Sequence, residues 1–271
     1  MRLKAYCKIN IGLHVVRKRE DGYHDLQSVM QTISLRDDIE IDIGTGKPWK
    51  LLCDKEDIPT DERNLAWKAA KLFFDTTGKD PQGLEIRITK RIPAEAGLGG
   101  GSSDAACTVR TISEMFGLAL TEEQMKGLVG RLGADCPFFV NPKPLYAVGI
   151  GDVFTPISLN LVGWYLMLVK PEVHVSTREA YAGVRPHRPV FSLLETAQLP
   201  VGQWADRMVN DFEESIFVGH PLLAEIKAEL YRQGAVYASM SGSGSTLFGL
   251  FRSRPCCEQV FAEHFTFICL L

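Results

Sequence analysis

Hydrophobic and polar residues alternate along positions 5–16, in the pattern of a β-strand that buries one face. Every second residue from Cys7 to Val15 is apolar, and these residues are predicted to face the core. Lys8 and Asn10 are neighbours on the other face, which we expect to point away from the core. Further strands are predicted, from alternation or from short apolar runs, at 38–43, 84–88, 164–169, 235–240 and 246–251.

Helices are predicted over 64–76 and 221–232. From Ser102 onward, apolar residues recur three and four positions apart, so a helix is expected directly after the glycine-rich segment that precedes it. Thr121 and Gln124 have the spacing of a capping box, which marks the start of another helix. Because strands and helices mix without regular βαβ alternation, we predict an α+β fold with two lobes and a central cleft.

Composition restricts the class of protein further. With 45% hydrophobic and 23% charged residues among 271, the chain resembles an ordinary globular protein. Its formal net charge of −3 argues against a general nucleic-acid binder, which usually has a basic excess. The sequence contains no signal-peptide core and no apolar run of membrane-spanning length. Seven cysteines without a C-x-x-C pair favour a reducing compartment, so we expect a cytoplasmic protein without nucleic-acid or membrane partners.

The most informative segment is the glycine-rich stretch 93–103, between a predicted strand and a predicted helix. Glycine lets the backbone approach a ligand closely, and a helix start offers unpaired N–H groups and a positive dipole end to an anion. Ser102 and Ser103 add hydroxyl donors for phosphate oxygens or for the water shell of a metal ion. The segment therefore favours a nucleoside triphosphate; a flexible turn capped by Ser103 is the structural alternative.

Three better-known nucleotide-binding signatures do not fit this chain. A Walker A loop ends in Gly-Lys-Ser/Thr, and the segment contains no lysine. The dinucleotide-binding pattern Gly-x-Gly-x-x-Gly, counted from Gly97, meets Ser102 where its third glycine belongs. The chain also lacks the His-Arg-Asp and Asp-Phe-Gly signatures of protein kinases.

The run Pro-x-x-x-Gly-Leu-Gly-Gly-Gly-Ser-Ser-Asp-Ala-Ala that begins at Pro93 resembles the ATP-binding motif of the GHMP kinases (galacto-, homoserine, mevalonate and phosphomevalonate kinases). Further stretches resemble motifs of this family in the same order, so the resemblance covers nearly the whole chain. These stretches are 5–13, 21–24, 133–139, 210–213 and 239–246.

The resemblance implies the two-lobed GHMP kinase fold, with an N-terminal lobe like ribosomal protein S5 over 1–153 and a ferredoxin-like lobe over 154–271. It also implies a small-molecule kinase that uses ATP and Mg²⁺. Asp135 is the implied general base near the acceptor hydroxyl, and Lys8 is its cationic partner. Without the resemblance, Lys8 would be a solvated strand lysine and Asp135 a turn residue.

For ATP, the resemblance places Asn64 and Lys90 near the nucleoside, although Lys90 by itself would be expected at the surface. The phosphates are expected to contact the glycine-rich segment, which consists of Pro93, Ala94, Glu95, Ala96, Gly97, Leu98, Gly99, Gly100, Gly101, Ser102 and Ser103.

For the acceptor, 21–24 resembles a segment of one branch of the family, which phosphorylates a hydroxyl group of a cytidine-diphosphate-linked methylerythritol. This resemblance implies that cytosine stacks between Tyr23 and Tyr181, that His24 hydrogen-bonds to the base edge, and that Asn10 holds the methylerythritol end. Taken alone, Tyr23 would be a turn aromatic and His24 a surface imidazole.

Two other functions stay open. One is a GHMP kinase of the mevalonate or homoserine type, which the sequence of 21–24 disfavours. The other is a catalytically inactive GHMP-fold protein that binds a metabolite, which the presence of both Lys8 and Asp135 disfavours. The sequence does not indicate an oligomeric state.

Overall fold

The computed structural model describes residues 1–44 and 46–271. Ten strands, seven α-helices and three short 3-10 helices occur in this part of the chain. The strands are β1 (Arg2–Lys18), β2 (His24–Ile43), β3 (Lys50–Cys53), β4 (Leu84–Thr89), β5 (Leu145–Val148), β6 (Val153–Pro156), β7 (Tyr165–Lys170), β8 (Tyr237–Met240), β9 (Leu247–Phe251) and β10 (Phe265–Leu270). The α-helices are α1 (Leu65–Thr77), α2 (Gly100–Met115), α3 (Glu122–Gly130), α4 (Thr177–Gly183), α5 (Leu193–Thr196), α6 (Phe212–Gly219) and α7 (Pro221–Arg232). The 3-10 helices are Cys136–Val140, Val201–Gln203 and Glu258–Phe261.

The mixture of strands and helices confirms the predicted α+β class. The chain forms two compact units, and β1 and β2 contribute residues to both. The predicted boundary between residues 153 and 154 concerns the two lobes of the family, and it stays a prediction. The first unit comprises residues 1–7, 34–94 and 99–142, and the second comprises 8–33, 95–98 and 143–271.

In the first unit, the second half of β2 pairs antiparallel with β4, and β3 pairs parallel with β4. α1 packs against α2 and buries one apolar face, as its predicted helical pattern requires. The side chain of Asn64 caps the start of α1, and Gly78, at φ 66°, ends it in the left-handed conformation. The buried residues of this helix are Ala66, Ala69, Ala70, Phe73 and Phe74.

The starts of α2 and α3 follow two different rules. α2 begins at Gly100, two residues before the predicted position, because Gly99 adopts φ 69° and turns the chain into the helix. α3 begins with the predicted capping box. The Gln124 amide donates to Thr121 Oγ1 at 3.2 Å, and the Thr121 amide donates to Gln124 Oε1 at 2.8 Å.

In the second unit, four antiparallel strands form a sheet in the order β10-β7-β9-β8. α7 contacts β8 and β9, and its bounds are those of the predicted helix 221–232. Proline at its first position suits a helix start, because the amide missing there has no partner inside the helix. The helix buries Leu223, Ile226 and Leu230 in the core of this unit.

β1 corrects one expectation from the sequence. Lys8 and Asn10 are buried, with 3% and 5% of their surface exposed, so the face predicted to point away from the core is covered as well. Further along that face, a Cβ atom added to Gly12 would lie 2.6 Å from Met208 Sδ and 2.8 Å from Leu193 Cδ2. Within the second unit this strand therefore packs on both faces.

Candidate active site

Lys8 and Asn10 meet Gly97 of the glycine-rich segment in the second unit. The Lys8 ammonium donates to the Gly97 carbonyl at 3.1 Å and to Asn10 Oδ1. The other end of the Asn10 amide donates to Ser28 Oγ at 2.8 Å, so the amide orientation is fixed. The structure thus brings together one predicted catalytic residue, one predicted acceptor-binding residue and one residue of the predicted phosphate loop.

Gly97 lies against the loop between β8 and β9. Its φ is 72°, and an added Cβ would lie 2.0 Å from the carbonyl oxygen of Ser241, so only glycine fits here. Ser241 Oγ donates to the Gly97 carbonyl at 2.9 Å and accepts the backbone N–H of Asn10 at 3.1 Å. The two C-terminal motifs noted in the sequence are joined as well, since Asn210 Nδ2 donates to the carbonyls of Met240 and Gly242 at 2.7 and 2.8 Å.

Residues 99–103 form the start of α2 in the first unit. Gly99 offers no side-chain cap, so within the described chain the first amides of this 16-residue helix keep their hydrogens available to a ligand. Ser103 is buried and donates to the Tyr6 carbonyl at 2.7 Å, whereas Ser102 is partly exposed. Ser103 therefore does not cap a flexible turn, which was the structural alternative. The start of α2 fits a phosphate group.

Lys90 is buried, contrary to the surface position expected of a lone lysine. Its ammonium donates to Asp37 and, at 2.9 Å, to Asp104 Oδ2. Burial lowers the pKa of Lys90, but the charges of Asp104 and Asp37 outweigh it and raise the pKa overall, so the lysine is charged. Burial, together with the charge of Asp37, raises the pKa of Asp104 to about 7 against the opposing effect of Lys90. Contact of Lys90 with a nucleoside stays a prediction.

Asn64 and Asp135 occupy well-defined positions in the first unit. Asn64 Oδ1 accepts the Ala66 amide at 2.9 Å, and its Nδ2 donates to the Pro59 carbonyl at 2.8 Å, so both ends of the amide hold the start of α1. Asp135 is partly buried and directly precedes the 3-10 helix Cys136–Val140. α2 contacts this 3-10 helix, so α2 lies beside the segment that carries Asp135.

The residues predicted for the cytidine end lie together in the second unit. The rings of His24 and Tyr181 stack with centroids 4.9 Å apart and an interplanar angle of 26°, and Tyr181 packs edge-on against Phe212 at 5.0 Å. Tyr23 is 61% exposed, and its amide donates to Asp21 Oδ1 at 3.0 Å, as in an Asx turn. Burial, with a smaller effect of the Lys18 charge, lowers the pKa of His24, so the neutral ring can both donate and accept.

Among residues 1–44 and 46–271, one group of side chains could hold a metal ion. His14, His187 and Asp211 offer ligand atoms that lie within 4.8 Å of one another. Imidazole nitrogens suit zinc-like ions, whereas Mg²⁺ prefers oxygen ligands. His14 Nδ1 and Asp211 Oδ1 already pair at 3.0 Å, and Asp211 Oδ2 accepts the Val15 amide at 2.7 Å. This group therefore does not fit the predicted Mg²⁺.

Reasoning from the sequence missed several residues of the site. Ser241 and Phe212 lie inside stretches that resemble family motifs, so a signal for them was present without a role attached. Asp104 lies inside the motif that begins at Pro93, so a signal for it was present as well. Ser28 and Asp37 gave no usable signal, because their importance comes from partners distant in sequence.

Comparisons with known proteins identify the family of the chain. The family model described as GHMP kinases N terminal domain matches residues 64–142, and GHMP kinases C terminal matches 194–261. A protein of Bacteroides thetaiotaomicron named 4-diphosphocytidyl-2-C-methyl-D-erythritol kinase is 47% identical over 248 residues, 90% of each chain. The chain belongs to the GHMP kinases, in the family of the 4-diphosphocytidyl-2-C-methyl-D-erythritol kinases. The predicted family is thereby confirmed.

Solved structures share the fold of this GHMP kinase. A crystal structure of 4-(cytidine 5'-diphospho)-2C-methyl-D-erythritol kinase superimposes with a TM-score of 0.82 at 30% identity, covering 99% of this chain and 98% of the other. The mevalonate kinase of Methanococcus jannaschii gives 0.76 at 14% identity, covering 100% and 98%, which shows a shared fold alone. As a GHMP kinase, the chain is an ATP-dependent enzyme that acts on a small molecule.

Proposed function

We propose that this GHMP kinase transfers the γ-phosphoryl group of ATP to the 2-hydroxyl of 4-diphosphocytidyl-2-C-methyl-D-erythritol, giving the 2-phosphate and ADP. The reaction belongs to the non-mevalonate route to isopentenyl diphosphate. The observation that carries the proposal is the 47% identity, over nine-tenths of both chains, to the Bacteroides thetaiotaomicron kinase. The stacked rings of His24 and Tyr181 support it, since they form an aromatic surface suited to a pyrimidine base.

In the proposed mechanism, the acceptor oxygen forms a bond to the γ-phosphorus while the bond from that phosphorus to the β–γ bridging oxygen breaks. The hydroxyl proton passes to the Asp135 carboxylate, and ADP leaves with the bridging oxygen. Lys8 supplies positive charge to the transferring group. Its hydrogen bonds to Gly97 and Asn10 support this role, because they hold the ammonium in place.

ATP is proposed to bind with its phosphates on residues 93–103 and its nucleoside near Asn64 and Lys90. The uncapped start of α2 supports the phosphate site. Mg²⁺ is proposed to bind with the nucleotide, where it would supply positive charge to the phosphates. Of the two serines, Ser102 suits the water shell of this ion, because the Ser103 hydroxyl is already bonded to Tyr6.

The acceptor is proposed to place its cytosine between Tyr23 and Tyr181 with His24 at the base edge, and its methylerythritol end at Asn10. The exposed ring of Tyr23 supports a stacking role, since it is available to a ligand. The neutral imidazole of His24 supports hydrogen bonding to the base edge.

A coupled ADP-release assay tests the assignment. The cytidylated alcohol is offered beside mevalonate and homoserine, each with ATP and Mg²⁺. We expect turnover with the cytidylated alcohol alone. Preference for either other alcohol would assign the chain to a different GHMP reaction. Tight ligand binding without ADP release from any acceptor would make it a metabolite-binding protein.

The proposed setting is the cytoplasm, with small molecules as partners and no nucleic acid or membrane. The formal net charge of −3 supports the absence of a nucleic-acid partner. Of the helices in residues 1–44 and 46–271, none combines the length and apolar character needed to cross a bilayer.

A further inference from the structure

The hydroxyl of Ser241 joins two segments that the proposed function uses separately. Ser241 is fully buried in the loop between β8 and β9. Its hydrogen goes to the carbonyl of Gly97 at 2.9 Å, in the glycine-rich segment. Its oxygen accepts the backbone N–H of Asn10, on β1, at 3.1 Å. A hydroxyl is suited to this position, because it can donate to one segment and accept from the other at the same time.

The hydroxyl of Ser241 and the ammonium of Lys8 share one acceptor, the carbonyl of Gly97. That oxygen accepts both Ser241 Oγ at 2.9 Å and the Lys8 ammonium at 3.1 Å. A carbonyl oxygen has two lone pairs, so these two donors match its full capacity. Lys8 also donates to Asn10 Oδ1, and Asn10 is the residue whose amide Ser241 accepts. Ser241 therefore bonds directly to one acceptor of the ammonium, the Gly97 carbonyl, and to the backbone of the residue that carries the other.

Two residues at and just before the start of α6, Asn210 and Glu213, hold the loop that carries Ser241. Asn210, which is buried, donates to the carbonyls on both sides of Ser241, those of Met240 and Gly242. Glu213 Oε1 accepts the Met240 amide at 2.7 Å. The Ser241 hydroxyl is thus presented from a backbone that is fixed on both sides, as a positioning group must be.

We propose that Ser241 is a positioning residue for phosphoryl transfer, which sets the Lys8 ammonium through the Gly97 carbonyl and Asn10. The proposal rests on the proposed function, in which Lys8 meets charge on the transferring group. Without the hydroxyl, the backbone N–H of Asn10 loses its acceptor and the Gly97 carbonyl loses one of its two donors. A displacement of about 1 Å in a catalytic group can cost about 100-fold in rate.

The test compares Ser241→Ala with Ser239→Ala in the full chain. Ser239 is also buried, lies two residues away, and donates to Glu213 Oε1 at 3.0 Å rather than to Gly97. Each variant loses a buried hydroxyl, but Ser241→Ala removes two hydrogen bonds and Ser239→Ala removes one, so we expect the larger loss in urea stability for Ser241→Ala, and kcat is compared under conditions in which both variants are folded. For Ser241→Ala we expect kcat to fall about 10- to 100-fold, more than KM for ATP rises, while Ser239→Ala keeps its kcat.

Equal kcat for the two variants would overturn the proposal and leave Ser241 a structural serine. So would a Ser241→Ala variant whose loss lies wholly in KM, because binding would then have changed without the chemical step. Lys8→Ala, measured alongside, separates this result from the proposed function. If Lys8→Ala keeps its turnover, the role proposed for Lys8 fails. If Lys8→Ala is inactive while Ser241→Ala has normal kcat, only the positioning role fails.

Discussion

The buried cluster of Lys90, Asp37 and Asp104 predicts how stability changes with pH. Asp104 has a pKa of about 7 in the folded chain, against 3.8 for an ordinary aspartate, chiefly because it is buried and also because Asp37 is close. A carboxyl whose pKa is raised by folding stabilises the fold fully below its unfolded pKa, and this contribution is lost as pH rises through the folded pKa. The loss therefore falls between about pH 4 and pH 7, where the folded chain holds a proton that the unfolded chain releases.

Asp104→Asn is the perturbation that isolates this effect. The amide has the shape of a protonated carboxyl, so it can still accept from Lys90 and donate toward Asp37 without ionising. At 1.36 kcal/mol for each pH unit, wild type should lose about 2 kcal/mol relative to the variant between about pH 5.5 and pH 8. The free energy of unfolding is measured for both proteins by urea denaturation across this interval.

The reasoning would be refuted if the difference in the free energy of unfolding between wild type and Asp104→Asn did not change with pH. Asp61→Asn is the matched control in the first unit. Asp61 is exposed, and its hydrogen bond with Arg63 lowers its pKa to about 2. It is therefore ionised throughout the interval in both folded and unfolded chains. The free energy of unfolding of Asp61→Asn should change with pH in the same way as that of wild type from about pH 5.5 to pH 8.

Three further changes test other parts of the molecule. Asp135→Asn should lower kcat by at least about 100-fold with little change in urea stability, because it removes the proton acceptor and keeps the shape; near-normal kcat would remove Asp135 from the mechanism. Gly97→Ala should destabilise the fold by at least about 2 kcal/mol in urea denaturation, because the added carbon meets the Ser241 carbonyl and φ is positive. Unchanged stability would contradict the close approach of Gly97 to Ser241. Tyr181→Ala should raise KM for the cytidylated acceptor at least about 5-fold and leave KM for ATP unchanged, because it removes the ring stacked on His24. Equal changes in the two KM values would argue against a cytosine site at Tyr181.

Local elements were predictable from the sequence wherever the signal was local. The residues of α7 carry its whole pattern, including the proline at its start, and the capping box of α3 is contained within four residues. The start of α2 was displaced by two residues, because the periodicity of apolar side chains does not show that Gly99 adopts a left-handed conformation. Periodicity thus gave the class of fold and ten of the seventeen strands and α-helices in the described residues. It did not give β3, β5, β6, β10, α4, α5 and α6, and 38–43 covered only the second part of β2.

The candidate site was predictable only as a set of segments. Alternation along β1 shows that Lys8 and Asn10 share a face, but it does not show what covers that face, and both residues proved to be buried. The bond from Ser241 to Gly97 joins residues 144 positions apart, so no spacing rule could give it. The same holds for Lys90, whose burial depends on carboxylates from β2 and α2.

The way β1 is covered has a consequence for how the chain matures during synthesis. Its backbone and its second face are completed by residues made much later, since Leu13 pairs with Val209 and the Tyr237 hydroxyl bonds to the carbonyl of Ile11. A strand translated among the first residues must therefore wait for the last quarter of the chain before these contacts can form. Contacts of such long sequence separation slow folding and leave apolar surface open to aggregation in the meantime. A nascent chain stalled before residue 209 would be a natural client for chaperones that bind exposed strands.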